Sequence, residues 1–199
     1  MSFRKKGLDF SRKPKKKLSS AFFAELFSWI FWPVIAAFFG AVLIFVFGLR
    51  TNVIGNSMEP LLYSGQEILI DRLIFSVSSP KRGDVVAFQP NGNENSHYYI
   101  KRVVGLPGET LKINDGYLYI DGVRYREDDI FDKMADPGIL ENEVTLGKEE
   151  YFVLGDNRNF SEDSRSGNVG LVKSSYMIGK VWFKLSKDLQ NLGFVSGKR

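Results

Sequence analysis

Residues 29–49 read WIFWPVIAAFFGAVLIFVFGL, 21 positions without one charged side chain. At about 1.5 Å per residue a helix of that length spans roughly 30 Å, the thickness of a bilayer's hydrocarbon core. A buried core helix is seldom so long or so evenly apolar. The run is also too long for the apolar part of a cleaved leader, and no small-x-small site follows it before Gly55. Apolar character reaches back to Ala21, interrupted by Glu25 and Ser28. Trp29 and Trp32 stand at its N-terminal end, where indole rings favour the membrane interface. The stretch predicts one retained transmembrane helix over residues 21–49.

The flanks orient it. Residues 1–20 carry eight Lys and Arg against the single acid Asp9, whereas Arg50 is the one basic residue in the twenty that follow the helix. The positive-inside rule puts this basic tail in the cytoplasm and everything after Arg50 on the outer face of the cytoplasmic membrane. The remainder holds 19 basic and 22 acidic residues, so the pI of 9.2 belongs to the tail. Such a tail beside an apolar run points to a lipid bilayer as partner, and not to nucleic acid. There is no cysteine, which excludes disulfides, thiolate metal sites and a thiol nucleophile. One histidine, His97, excludes a His-rich metal centre. No cofactor and no metal is expected.

Beyond Arg50 the pattern turns to β. Residues 67–70, 84–88, 97–104, 109–113, 117–120, 151–154 and 177–185 are short β-rich runs bounded by Gly, Pro or polar turns. Asn114-Asp115-Gly116 is a strong hairpin signal, and Asp121-Gly122 marks a second turn. Residues 127–149 are acidic and irregular and read as a loop or small lid. The expected fold is therefore mostly β: an antiparallel sheet domain over residues 50–187, with an inserted loop or small subdomain at about 121–149. Residues 188–199 read as a mobile end.

Three stretches could carry chemistry. Gly55-Asn56-Ser57-Met58-Glu59-Pro60 displays a serine on a bend, because Pro60 stops a helix or inner strand. Such a serine is most often a solvated turn, unless the chain supplies a partner. Tyr98 to Val104 is an alternating strand in which Lys101 sits among bulky apolar neighbours. An edge-strand lysine would snorkel to water. A buried one would lose part of its pKa, from about 10.4 toward about 8, and its neutral amine could take a proton from a serine hydroxyl. His97 is the competing base, a lone histidine beside Asn95 and Ser96 with no obvious acidic partner. The third stretch, Gly155 to Arg165, is a tight polar loop after an apolar strand.

Together these stretches resemble the type I signal peptidases. Ser57-Met58-Glu59-Pro60 is similar to that family's serine-x-methionine-x-proline motif, and Tyr99 to Glu109 to its lysine motif. Gly155-Asp156-Asn157-Arg158 through Ser161, Asp163, Ser164 and Arg165 is similar to a third motif at every fixed position. Arg82 to Val86 resembles a further box, and the likeness runs from about Trp29 to Leu185.

The resemblance implies a membrane-anchored serine endopeptidase that removes signal peptides from exported preproteins after small residues. It implies Ser57 as nucleophile and Lys101 as general base, with Ser161 hydrogen-bonded to the lysine. It also implies an Asp163–Arg165 ion pair and a supporting Asp156. The oxyanion would meet the Ser57 N–H and a donor at position 55, which here is Gly55 where many members have serine. The alternative from the residues alone is a non-catalytic, membrane-tethered peptide-binding or scaffolding β-domain.

Overall fold

The computed structural model describes residues 20–126, 131–185 and 192–195, so the basic tail lies outside the described residues. The chain divides into two units, residues 1–43 and 44–199. The described part of the first belongs to the helix α1, which runs Ser20–Phe47 with Pro33 inside it. Its segment Glu25–Ile44 is long and apolar enough to cross a membrane by length and composition. Large apolar side chains from Leu26 to Ile44 stand exposed, including Trp29 and Trp32. A helix that is apolar all round suits lipid better than a one-sided protein core.

The strands of the second unit are β1 (Gly48–Asn52), β2 (Glu67–Asp71), β3 (Val85–Phe88), β4 (Tyr99–Gly105), β5 (Thr110–Asn114), β6 (Tyr117–Ile120), β7 (Val123–Arg124), β8 (Val144–Thr145), β9 (Glu150–Leu154), β10 (Val172–Lys173), β11 (Met177–Leu185) and β12 (Gly193–Phe194). All pairings are antiparallel. The larger sheet has the order β1-β2-β11-β3-β4-β9-β10, with β12 beside β11, and the smaller one the order β7-β6-β5-β8.

The large sheet is covered on both faces, and β3 shows how. Val85 and Ala87 enter one apolar cluster with Met58, Leu62, Ile68, Ile70, Ile100 and Val181. Val86 and Phe88 enter another with Val103, Tyr151 and Val153. Period-two alternation sends successive residues to opposite faces, so a strand buried on both must be apolar throughout. A third cluster, with Leu111, Leu118, Leu140, Phe152 and Leu154, joins the small sheet to β4 and β9.

The hairpin expectations hold. β5 and β6 pair up to Asn114 and Tyr117, leaving Asp115-Gly116 as a two-residue turn. Both turn residues have positive φ, 51° and 77°. Asp121-Gly122 repeats the geometry with 50° and 77°. These turns match the right-handed twist of the strands they join.

Three boundaries differ from the sequence reading. The helix stops at Phe47, not Leu49, because Gly48–Asn52 pairs with β2 over five residues and Leu49 packs on the core. A Cβ at Gly48 would strike the Ile44 carbonyl, which favours glycine at this exit.

The inserted subdomain begins at Thr110, before residue 121. Of the 127–149 segment, residues 127–130 lie outside the described residues. The rest contributes β8 to the small sheet and buries Met134, Leu140 and Leu146. Scattered apolar residues, without alternation, hid this from a pattern-based reading.

Finally, within 188–199 the described residues 192–195 do pack. Gly193 and Phe194 pair with Lys184 and Phe183, and Val195 is buried. The Phe194 ring meets Phe183 at 5.2 Å and Trp182 at 6.0 Å, contacts too short in sequence to stand out. Residues 188–191 and 196–199 lie outside the described residues.

Candidate active site

Ser57 lies on the segment between β1 and β2, and Met58 anchors it. Met58 is 1% exposed, and burying such a side chain stabilises the fold by about 2 kcal/mol. The Leu62 N–H donates to the Met58 carbonyl at 2.9 Å, closing a helical turn. The loop after β9 holds the same segment from the other side. There the Asn157 N–H donates to the Ser57 carbonyl at 3.0 Å, and Asn157 Nδ2 to the Asn56 carbonyl at 3.2 Å.

Lys101 sits in β4, an internal strand between β3 and β9. It therefore cannot snorkel over an edge, and it is only 4% exposed. Its Nζ lies 2.6 Å from Ser57 Oγ. Burial pulls the lysine pKa down to about 8; the carboxylates of Asp163 and Glu162 oppose that fall, and Arg165 adds to it. A buried ammonium loses hydration that its neighbours only partly replace, so the neutral amine is favoured.

The loop that faces this pair is braced from within. Arg165 Nε donates to Asp163 Oδ1 at 2.9 Å, and Arg165 is also bonded to the Arg158 carbonyl. Asp163 Oδ2 accepts the Gly155 N–H at 3.1 Å. The ion pair implied by the resemblance is thus formed. Asp156 turns the other way and pairs with Arg102, through two bonds of 2.6 Å each. Arg102 follows Lys101 in β4, so one strand offers its two cations to opposite sides.

Both members of the Arg102–Asp156 pair are almost fully buried. Removing one partner strands the other charge. Asp156→Ala should therefore lower the unfolding free energy by about 3 kcal/mol, at the low end for such pairs, since Arg102 Nη1 keeps its 2.8 Å bond to the Gly83 carbonyl. Denaturant titration of the full chain in detergent measures this, and an unchanged midpoint would rule out a stabilising pair.

Ser161 departs from the expected arrangement. Its Oγ is buried and has no hydrogen-bond partner among the described residues. Lys101 Nζ is bonded to Ser57 instead. The Ser161 hydroxyl is nevertheless close to the pair: a Cβ placed on Gly155 would collide with both Ser161 Oγ and the Ser57 carbonyl. Gly55 adopts φ +82°, and its N–H donates to Ser64 Oγ at 3.3 Å. The Ser57 N–H has no acceptor among the described residues.

A cleft of about 420 Å³ opens over Ser57 and Lys101, walled by residues 53–58, 97–101, Phe160 and Glu162. His97 lines it but is exposed and makes no hydrogen bond to Ser57 among the described residues. Among those residues no three His, Asp or Glu side chains cluster as a metal site. Asn157, Arg102 and Glu162 were not singled out from sequence. Asn157 stands inside the third motif and Arg102 beside Lys101, but only tertiary contacts reveal what each touches.

The family model described as signal peptidase, peptidase S26, matches residues 24–186. The chain belongs to this family. The peptidase is 31% identical over 183 residues to signal peptidase I P of Bacillus subtilis subsp. natto, covering 85% of this chain and 91% of that one. It is 30% identical over 179 residues to signal peptidase IB of Staphylococcus aureus strain N315, covering 80% and 89% respectively. A solved signal peptidase I from Enterococcus faecalis V583 is 34% identical with a TM-score of 0.39, covering 52% of this chain and 97% of that one. Family membership makes the chain a serine peptidase, a hydrolase.

Proposed function

We propose that the peptidase is anchored by α1 in the cytoplasmic membrane and removes signal peptides from exported preproteins, with Ser57 as nucleophile and Lys101 as general base. The observation that carries this reading is the 2.6 Å contact between Ser57 Oγ and a buried lysine whose pKa has fallen to about 8. Neutral Lys101 accepts the Ser57 proton as Oγ attacks the scissile carbonyl. The resulting ammonium protonates the leaving amine. Water, deprotonated by the same lysine, then releases the acyl group. The unsatisfied Ser161 hydroxyl, beside Gly155, accepts a hydrogen from Lys101 when the ammonium forms. The Ser57 N–H is the oxyanion donor; the Gly55 N–H is already directed at Ser64.

The basic tail is assigned to the cytoplasm and the β-rich unit, about residues 50–187, to the outer face, a reading that the charge asymmetry supports. A substrate held in the same bilayer by its apolar leader meets the peptidase at raised effective concentration. A scaffolding domain would need neither the Ser57–Lys101 contact nor the cleft above it.

Cleavage of a preprotein by purified peptidase in detergent tests the reading, with Ser57→Ala as the inactive control. No cleavage by the unaltered chain would overturn it. The pH profile tests the base. Lys101 acts only when neutral, so kcat/KM should rise roughly tenfold per unit from pH 6 and level off above about 8. A flat profile over that range would exclude a titrating Lys101.

A further inference from the structure

Glu162 is a carboxylate in the wall of the catalytic cleft; its charge opposes the fall in the Lys101 pKa, but it takes no proton in the proposed chemistry. It follows Ser161 in the loop and is exposed. Two neutral groups hold it. Asn168 Nδ2 donates to Oε1 at 3.1 Å, and the Tyr99 hydroxyl lies 3.4 Å from Oε2. No lysine or arginine pairs with it among the described residues. Elsewhere the cleft wall is apolar or neutral, apart from Lys101 and His97. An oriented, unpaired carboxylate on a substrate-sized cleft favours a cation in what binds there.

Glu162 meets the hydroxyl tip of Tyr99, whose side chain leaves β4 on the same face as that of Lys101. Tyr99 precedes Lys101 by two residues, about 6.6 Å along a strand. An extended peptide bound with its scissile carbonyl at Ser57 would bring a side chain to Glu162 within about two residues of the cut.

We infer that Glu162 is a specificity-determining residue, which selects substrates bearing a lysine or arginine within two residues of the scissile bond. The inference rests on the proposed cleavage reaction. Where small residues must flank the cut, charge at a neighbouring position is the freedom left for discrimination. A carboxylate lowers the free energy of a cationic substrate and raises that of an acidic one, so selection works in both directions.

The test uses the full chain in detergent and a preprotein whose positions within two residues of the cut, apart from the small residue just before it, are changed singly to Lys, Gln or Glu. With the unaltered peptidase, one position should show kcat/KM in the order Lys above Gln above Glu, each step about two- to fivefold, as for a solvent-exposed ion pair. Glu162→Gln should bring the Lys:Glu ratio at that position close to one, and Glu162→Lys should invert it. Added salt should shrink the preference in the unaltered chain alone. Equal rates at every position, or a preference that survives in Glu162→Gln, would overturn the inference. Failure to cleave the neutral Gln substrate would instead count against the proposed reaction.

Discussion

Replacing Lys101 by Met should lower kcat/KM about 10²- to 10⁴-fold and leave the peptidase folded, the range that removal of a general base costs. Methionine has nearly the length of lysine and suits a site that is 4% exposed. It takes away the amine bonded to Ser57 Oγ while sparing the packing of β4 between β3 and β9. It also removes an amine whose burial is unfavourable, so thermal stability should be unchanged or raised. The check is preprotein cleavage alongside the melting temperature of the full chain in detergent. Activity within tenfold of the unaltered chain would take Lys101 out of the mechanism and return attention to His97.

Gly155→Ala should be nearly as damaging, although no atom of Gly155 reacts. An added methyl at that position meets Ser161 Oγ, Ser161 Cβ and the Ser57 carbonyl all at once, well inside contact distance. The Ser161 hydroxyl could rotate away, but Ser161 Cβ and the Ser57 carbonyl move only with their backbone. The loop or the Ser57 segment must shift. A displacement of about 1 Å in a reacting group costs on the order of 10²-fold in rate. Because Gly155 also donates to Asp163, the shift would reach the Arg165 brace. A fall in kcat of that size, with a pH profile still turning near 8, is the expected result. Unimpaired turnover would show that the loop has slack the contacts do not suggest.

Several features could be read before any coordinates. The apolar run was legible because 21 uncharged positions have few other uses. The strands β2, β3, β5, β6, β9 and β11 were legible because β-branched and apolar residues lie between strong turn formers. The two Asp-Gly turns were legible because positive φ at both central residues restricts the choice of residue. β8, β10 and β12 were missed. Two residues each are too few to show a period, and what holds them is a partner strand far off in sequence.

The site divides in the same way. Ser57, Lys101 and the Gly155–Arg165 loop were marked by motif, and the Asp163–Arg165 pair was implied by the family resemblance. Asp156 was assigned support without a partner, since Arg102 lies 54 residues away. Glu162 looked like one more polar residue in a loop.

From the sequence alone come the apolar helix, the basic end, the β-rich remainder and the residue types a serine–lysine pair needs. These follow from local composition and spacing. Only the tertiary structure decided that β4 is an internal strand. That one fact turns an ordinary lysine, free to reach water from an edge, into a buried amine 2.6 Å from Ser57 with a pKa of about 8. Desolvation depends on what other strands bring to both sides of a residue, and no window along the chain contains that information.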